Sequence, residues 1–211
     1  MCVGFIVECG PEGAETKVIP FLARQIFPSV QPKVVTLDVK TKVRSDCGRW
    51  ARELLRQGCG RVLIIWDLLP SWGQYEGAGC LKADRTAIHD SLRNAGLNPA
   101  DGRVRLVCIH HMLESWIIAD ERAVSRFLST DAHRVRVDRQ GSPESIKDPK
   151  AALITLFRKS KSRHQRYVDH QHAFPIIRHL DQLGLVRLNG LPSFERFRTK
   201  LTANDLTSHS R

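Results

Sequence analysis

Several features that would narrow the class of this chain at once are missing. No apolar run approaches the roughly 20 residues needed to cross a bilayer, and the first residues, Met1 to Val7, carry no basic flank of the kind a secretory leader needs. The six cysteines (Cys2, Cys9, Cys47, Cys59, Cys80 and Cys108) include no C-x-x-C pair. A zinc ribbon is therefore not expected, and the thiols read as free cysteines of a reducing cytoplasm. The G-x-x-x-x-G-K-[ST] phosphate loop is absent, so nothing in this chain supplies ATP binding. There is no internal repeat and no low-complexity tract.

What is present fits an ordinary globular protein. The 211 residues are 42% hydrophobic, enough for one domain, or one domain with a helical extension, to hold a core. The formal net charge of +11 is unevenly distributed. Residues 1–121 hold 15 Lys and Arg against 14 Asp and Glu, whereas residues 122–211 hold 18 against 8. A basic excess confined to one half suits a polyanion, nucleic acid being the simplest, although a solubilising face or an acidic protein partner is the plain alternative.

Hydrophobic patterning divides the first 130 residues into alternating strands and helices. Val3–Glu8, Lys33–Val39, Arg61–Asp67 and Arg103–Ile109 read as strands, and RVLIIWD has the continuous apolar character of a strand buried on both faces. Helices are expected over about 14–26, 45–57, 81–94 and 112–128. This alternation predicts an α/β fold, a Rossmann-like, mostly parallel sheet of about four strands flanked by helices. Residues 131–211 read as a basic, mainly helical extension packed on it. His133–Asp138 is expected as an edge strand, Asp148-Pro149 opens a helix to about Lys159, and further helices span about 168–183 and 193–203.

Three acids occupy equivalent places. Glu8 ends the first strand, Asp67 the third, and Glu114 lies just past the fourth. In a parallel sheet these positions share one edge, where ligands bind. Clustered carboxylates repel unless a cation joins them, and such oxygen ligands suit Mg²⁺ or Mn²⁺. The plainer reading is that each acid caps a helix or is solvated.

FIVECGPEGAETKVIPFLARQI resembles the first strand, acidic loop and helix of a Toprim domain, and RVLIIWD resembles the strand carrying that domain's Asp-x-Asp motif. HHMLESWIIAD, with DPKAAL and PSFERF downstream, resembles a poorly characterised Toprim-like family found among bacterial phage-defence genes. The resemblance covers about residues 3–201. It implies a Mg²⁺- or Mn²⁺-dependent nuclease or nicking subunit acting on nucleic acid, DNA in preference to RNA, with an ABC-type ATPase as a protein partner and no membrane association. It leaves the oligomeric state open. By position, Glu8 becomes the general acid/base or metal-proximal glutamate and Asp67 the principal metal ligand. Glu114 becomes a supporting ligand. Two positions depart from the pattern: Leu69 stands where the second aspartate would be, and Cys9 stands where glycine follows the glutamate, with Gly10 and Gly13 left to make the turn. Either Glu114 substitutes for the missing ligand, or metal binding is weak, or catalysis has been lost.

Other groups carry weaker signals. His110 and His111 stand between the fourth strand and Glu114, in reach of a proton-transfer role or of ordinary strand-end hydrogen bonding. Lys150, Arg158, Lys159, Lys161, Arg163 and Arg166 form the densest basic cluster and are read as phosphate contacts, with Tyr167 and Phe174 nearby. Asp169-His170-Gln171-His172 invites a metal reading that helical geometry disfavours, because residues two apart do not share a face. Trp116 is expected in the core. The Gly-rich Pro70–Gly79 loop is a candidate lid, with Trp72 and Tyr75 as substrate contacts.

Overall fold

The computed structural model of the chain describes residues 1–69, 81–139, 141–160, 164 and 166–203. The proposed lid at 70–79, Cys80, and Lys161 and Arg163 of the basic cluster lie outside them. The architecture is α/β, Rossmann-like, with a four-stranded, all-parallel sheet in the order β2-β1-β3-β4. The strands are β1 (Cys2–Val7), β2 (Gln31–Thr36), β3 (Arg61–Asp67) and β4 (Val104–Ile109).

Crossover handedness decides which face each connecting helix covers. The chain steps from β1 to β2 through α1 (Glu15–Ile26), then reverses through α2 (Lys40–Arg56) to β3 and continues through α3 (Leu81–Asn94) to β4. Right-handed connections put α2 and α3 on one face and leave α1 alone on the other. Side-chain alternation along β3 serves both faces. Val62, Ile64 and Trp66 join the core under α2 and α3. Leu63 and Ile65 join the core under α1.

The second face is completed by the rest of the chain: α4 (Glu114–Ile118), α5 (Glu121–Leu128), α6 (Pro149–Lys159), α7 (Asp169–Ile177), α8 (Gln182–Asn189) and α9 (Pro192–Thr202). Phe157, Tyr167, Phe194, Phe197 and Leu201 share one continuous core with Val3, Phe5 and Val7 of β1. Trp116 is fully buried there as expected; its indole N–H donates to Ser193 Oγ at 2.8 Å. At the start of β3, the Arg61 guanidinium donates to the carbonyls of Lys200, Leu201 and Ala203 at the end of α9, and Lys200 Nζ donates to the Leu106 carbonyl of β4. Among the described residues no helix is long and apolar enough to cross a membrane.

Four local expectations are corrected, the first being the helix expected from residue 45, which starts at Lys40. The helix expected over 112–128 is two, because Asp120 breaks it and recaps the second piece, its carboxylate accepting the Arg122 N–H at 3.2 Å. Residues 133–138 form no strand. The Val135 and Val137 amides donate to Ser129 Oγ and Ser125 Oγ, both at 2.9 Å, so α5 hydroxyls take the bonds a neighbouring strand would have taken. The helix expected over 168–183 stops at Ile177, and Asp181 caps a new one by accepting the Gly184 N–H at 2.9 Å.

Phe197 ties the last helix to the sheet, packing on Phe5 at 6.4 Å between ring centroids and on Trp116 at 5.5 Å. Phe197→Ala is expected to lower the unfolding free energy by about 3–5 kcal/mol in urea titration. A loss below about 1 kcal/mol would show that α9 is not part of the cooperative core.

Candidate active site

The strand order places β1 and β3 side by side at the point where the chain reverses direction, the crevice where open α/β sheets bind ligands. Glu8 follows β1 and Asp67 ends β3, so the two acids flank that crevice. They are linked directly: the Asp67 amide donates to Glu8 Oε2 at 3.2 Å. The loop after Glu8 is tight. Gly13 N–H donates to Gly10 O at 2.9 Å, and a Cβ on Gly13 would lie 2.3 Å from that of Cys9, so Gly13 is required by this close approach. A Cβ on Gly10 would meet Asp38 Oδ1 at 3.3 Å, a contact a small shift relieves.

Above this edge lies a cavity of about 1060 Å³. Its walls come from both halves of the chain: the Glu8–Glu15 loop and helix start, Asp67 and Leu69, Leu113 and Glu114, and the starts of α6 and α7 with Lys150 and Asp169. Glu8, Asp67 and Glu114 are thus brought to one site. The lining holds eight acidic residues and two lysines, Lys147 and Lys150.

This imbalance is reflected in the acids' affinity for protons. Burial raises the Glu8 carboxyl to about 7, with the Lys40 ammonium and the Asp67 amide opposing the rise. Burial likewise raises Glu114 to about 7, against the pull of Lys150. Asp67 is pushed well above the usual aspartate range by burial, then by the charges of Glu15, Glu8 and Glu114. Asp67 and Glu15 nonetheless keep part of their surface open to the cavity. Burial and the nearby Glu114 carboxylate hold the Tyr167 hydroxyl well above the usual tyrosine range, with the charges of Asp169 and Glu15 adding to the rise.

Glu15 is the member of this group that sequence reading missed. It lies in the first turn of α1, where an acid is ordinarily a response to the helix dipole, and nothing in its spacing sets it apart. Its surroundings do set it apart, since its charge acts on Glu8, Asp67, Glu114 and Lys150.

The remaining candidates are sorted by position. His110 and His111 do not line the cavity; His110 faces Glu144 and Arg196, and the His111 amide donates to Ser115 Oγ at 3.1 Å. Lys150 does line it and pairs with Asp169 at 2.7 Å, so it stands at the opposite end of α6 from Arg158 and Lys159. Arg158, Lys159 and Arg166 are exposed. His170 is exposed while His172 is buried, its Nδ1 accepting the Val168 N–H at 2.8 Å, so the two do not act together. Phe174 packs edge-on against Phe21 at 5.9 Å.

The donor set fits a hard divalent cation in its chemistry: the donors are all carboxylate oxygen, and their mutual repulsion is what such an ion relieves. The carboxylates share the cavity without closing on one point, since among the described residues no three acid, histidine or cysteine side chains form a ready-made cage. Binding would draw them together.

A carboxyl raised on folding binds more protons in the native state than in the unfolded one between about pH 4.5 and 7, so its contribution to stability falls as pH rises through that window. Without divalent ions, Glu114→Gln is expected to raise Tm by about 3 °C or more at pH 8 and to change it little at pH 4.5, by calorimetry. Equal shifts at both pH values would contradict the burial of this charge. Comparison with protein-family models, with curated proteins and with solved structures finds no match to this chain.

Proposed function

We propose that this protein is a Toprim-like, Mg²⁺- or Mn²⁺-dependent nuclease or nicking enzyme that acts on nucleic-acid phosphodiesters in the cytoplasm. The observation that carries the reading is the gathering of Glu8, Asp67 and Glu114 in one acid-rich cavity at the β1/β3 crevice. Such a surplus of buried carboxylates opposes entry of a phosphate unless a cation enters with it. Asp67, with Glu8 and Glu114 beside it, would hold that ion. When bound, it would neutralise charge on the phosphodiester and make a water more acidic.

The chain's own groups supply the rest. Glu8 takes the Asp67 amide on Oε2, which fixes its carboxylate at the crevice, where it is placed to hold or move a proton at an attacking water. Lys150, half-buried in the wall, is the cation placed to orient a phosphate oxygen. Exposed Arg158, Lys159 and Arg166 offer backbone contacts for the polymer outside the cavity. The resemblance of the sequence to Toprim-like proteins of phage defence adds two further proposals, a role in that defence and an ABC-type ATPase as partner.

One observation favours a second reading. Leu69 lines the cavity where the family's second aspartate would stand, and an aliphatic side chain offers a metal nothing. On that reading the protein is a degenerate module of the same fold that binds nucleic acid or a partner without catalysis.

Calorimetric titration with Mg²⁺ and Mn²⁺, beside cleavage of plasmid and single-stranded substrates, separates the two. Asp67→Ala and Glu8→Ala are expected to remove cation binding and to lower cleavage by about 100-fold or more. Cleavage unchanged in both variants would overturn the nuclease reading, and wild-type protein that binds neither ion would favour the degenerate module. The combined change Arg158→Ala, Lys159→Ala and Arg166→Ala is expected to flatten the dependence of log Kd on log salt by about 2–3 units, without altering cation binding.

A further inference from the structure

The basic excess of the second half contains cations that the fold does not use. Arg134, Arg136, Arg139, Arg158, Lys159 and Arg166 are all exposed, and among the described residues none of them enters an ion pair. Elsewhere on the surface arginines are paired: Arg93, Arg103 and Arg198 each hold a neighbouring acid at 2.6–2.9 Å. Like charges gathered on one surface repel, and a polyanion relieves that repulsion.

The fold collects these cations from separate parts of the chain. Residues 133–139 run extended along α5, where the Val135 and Val137 amides are taken by Ser129 and Ser125. Alternation along such a segment turns the valines inward and leaves Arg134 and Arg136 facing solvent. The His133 ring donates from Nε2 to the Ser160 carbonyl at 3.0 Å, which holds the start of the segment at the end of α6, beside Arg158 and Lys159. His164 stacks on Phe127 of α5 at 4.7 Å, so the chain leading to Arg166 passes the same side.

A groove of about 470 Å³ lies between α5 and this segment. Arg122, Arg126, Arg136 and Arg139 line it, against the two acids Glu121 and Asp138. Glu121 is already paired with Arg187 at 2.6 Å. Asp181 holds Arg122 and Arg126, both at 2.8 Å, so the α5 wall is fixed while Arg136 and Arg139 opposite carry no such tether. α6 connects this surface to the cavity. From Lys150 in the cavity wall to Arg158 is about 12 Å along the helix, and no acid occurs between Pro149 and Val168.

We propose that the groove between α5 and residues 133–139, continued by the last turn of α6, is the surface on which the phosphodiester backbone of a nucleic acid docks. The inference rests on the nucleic-acid reading above and adds where the polymer is held, by residues 134–139 that the basic cluster does not include. Arginine forks match phosphate oxygens in pairs, which suits a run of them to this ligand. An acidic protein is the less fitting occupant. Protein interfaces carry an apolar centre, and none of the large exposed apolar side chains (Met1, Leu81, Leu183 and Val186) lines the groove.

The test is fluorescence anisotropy of a labelled single strand and a duplex of the same sequence with the full chain, over a range of salt. The variants are the triple change Arg134→Ala, Arg136→Ala and Arg139→Ala, the same three positions changed to Lys, and a control triple, Arg49→Ala, Arg52→Ala and Arg93→Ala, on exposed positions of α2 and α3. Circular dichroism and thermal unfolding confirm that each is folded. The groove triple is expected to weaken binding at least tenfold and to flatten the dependence of log Kd on log salt by about 2–3 units. The Lys variant is expected to keep most of the affinity, and the control triple to lose less than about threefold. Unchanged binding in the groove triple overturns the inference, as does an equal loss in the control, which would show that net charge alone is sensed. Polyglutamate that competes as well as unlabelled strand at equal charge overturns it in favour of an acidic protein. Wild-type protein that binds neither strand nor duplex overturns the nucleic-acid reading itself, a result distinct from the others.

Discussion

A parallel sheet has two apolar faces, and neither can be left wet. In this chain the order of the strands determines how that requirement is met. One reversal, after β2, sends α2 and α3 to the same face and leaves α1 to cover the other by itself. A single helix of 12 residues does not cover four strands, so the chain must provide more helices on that side. The C-terminal half is therefore built into the sheet's second core, with Phe194, Phe197 and Leu201 beside residues of β1. The same packing brings the starts of α6 and α7 to the crevice. The wall of the cavity is a by-product of covering the sheet.

The cavity joins two opposed tendencies. Folding concentrates carboxylates where water is scarce, and the charged forms of Glu8, Asp67 and Glu114 are all disfavoured there. Apolar side chains at these positions would avoid that cost. Buried groups with strongly shifted proton affinity of this kind collect at functional sites. Lys40 shows how the fold limits that cost. It is buried beneath the edge, donates to the Leu68 carbonyl at 2.9 Å and lowers the penalty on Glu8 from behind, out of the cavity.

The sheet was legible in the sequence because its signal is local. RVLIIWD has few conformations other than a central strand, and the acid that ends it marks the carboxyl edge of the sheet. The same logic placed Glu8 and Glu114 at that edge, and both line the cavity with Asp67. Where local pattern was ambiguous, tertiary context decided. Residues 133–138 alternate like a strand, and only serine hydroxyls on α5, invisible as acceptors in the sequence, explain why no strand forms. Asp120 and Asp181 each look like ordinary surface acids, yet each ends one helix and begins the next. Glu15 went unnoticed because its significance lies in what faces it across the crevice, and spacing along the chain carries no trace of it. The basic cluster shows the opposite error: Lys150 is near Arg158 and Lys159 in sequence, but α6 separates them and turns Lys150 toward the acids.

The contacts of Arg61 with the carbonyls of Lys200, Leu201 and Ala203 join residues about 140 positions apart. During synthesis β3 emerges long before its partner at the end of α9 exists. Once β4 has followed, all four strands are outside the ribosome with one apolar face covered only by α1, awaiting the helices that complete it. Domains assemble in order of emergence, and exposed apolar surface at that stage invites self-association. The fold described here is thus complete only once the last turn of α9 is available. A premature stop near residue 190 would leave the four strands and most of the helices made, with that face of the sheet covered only in part.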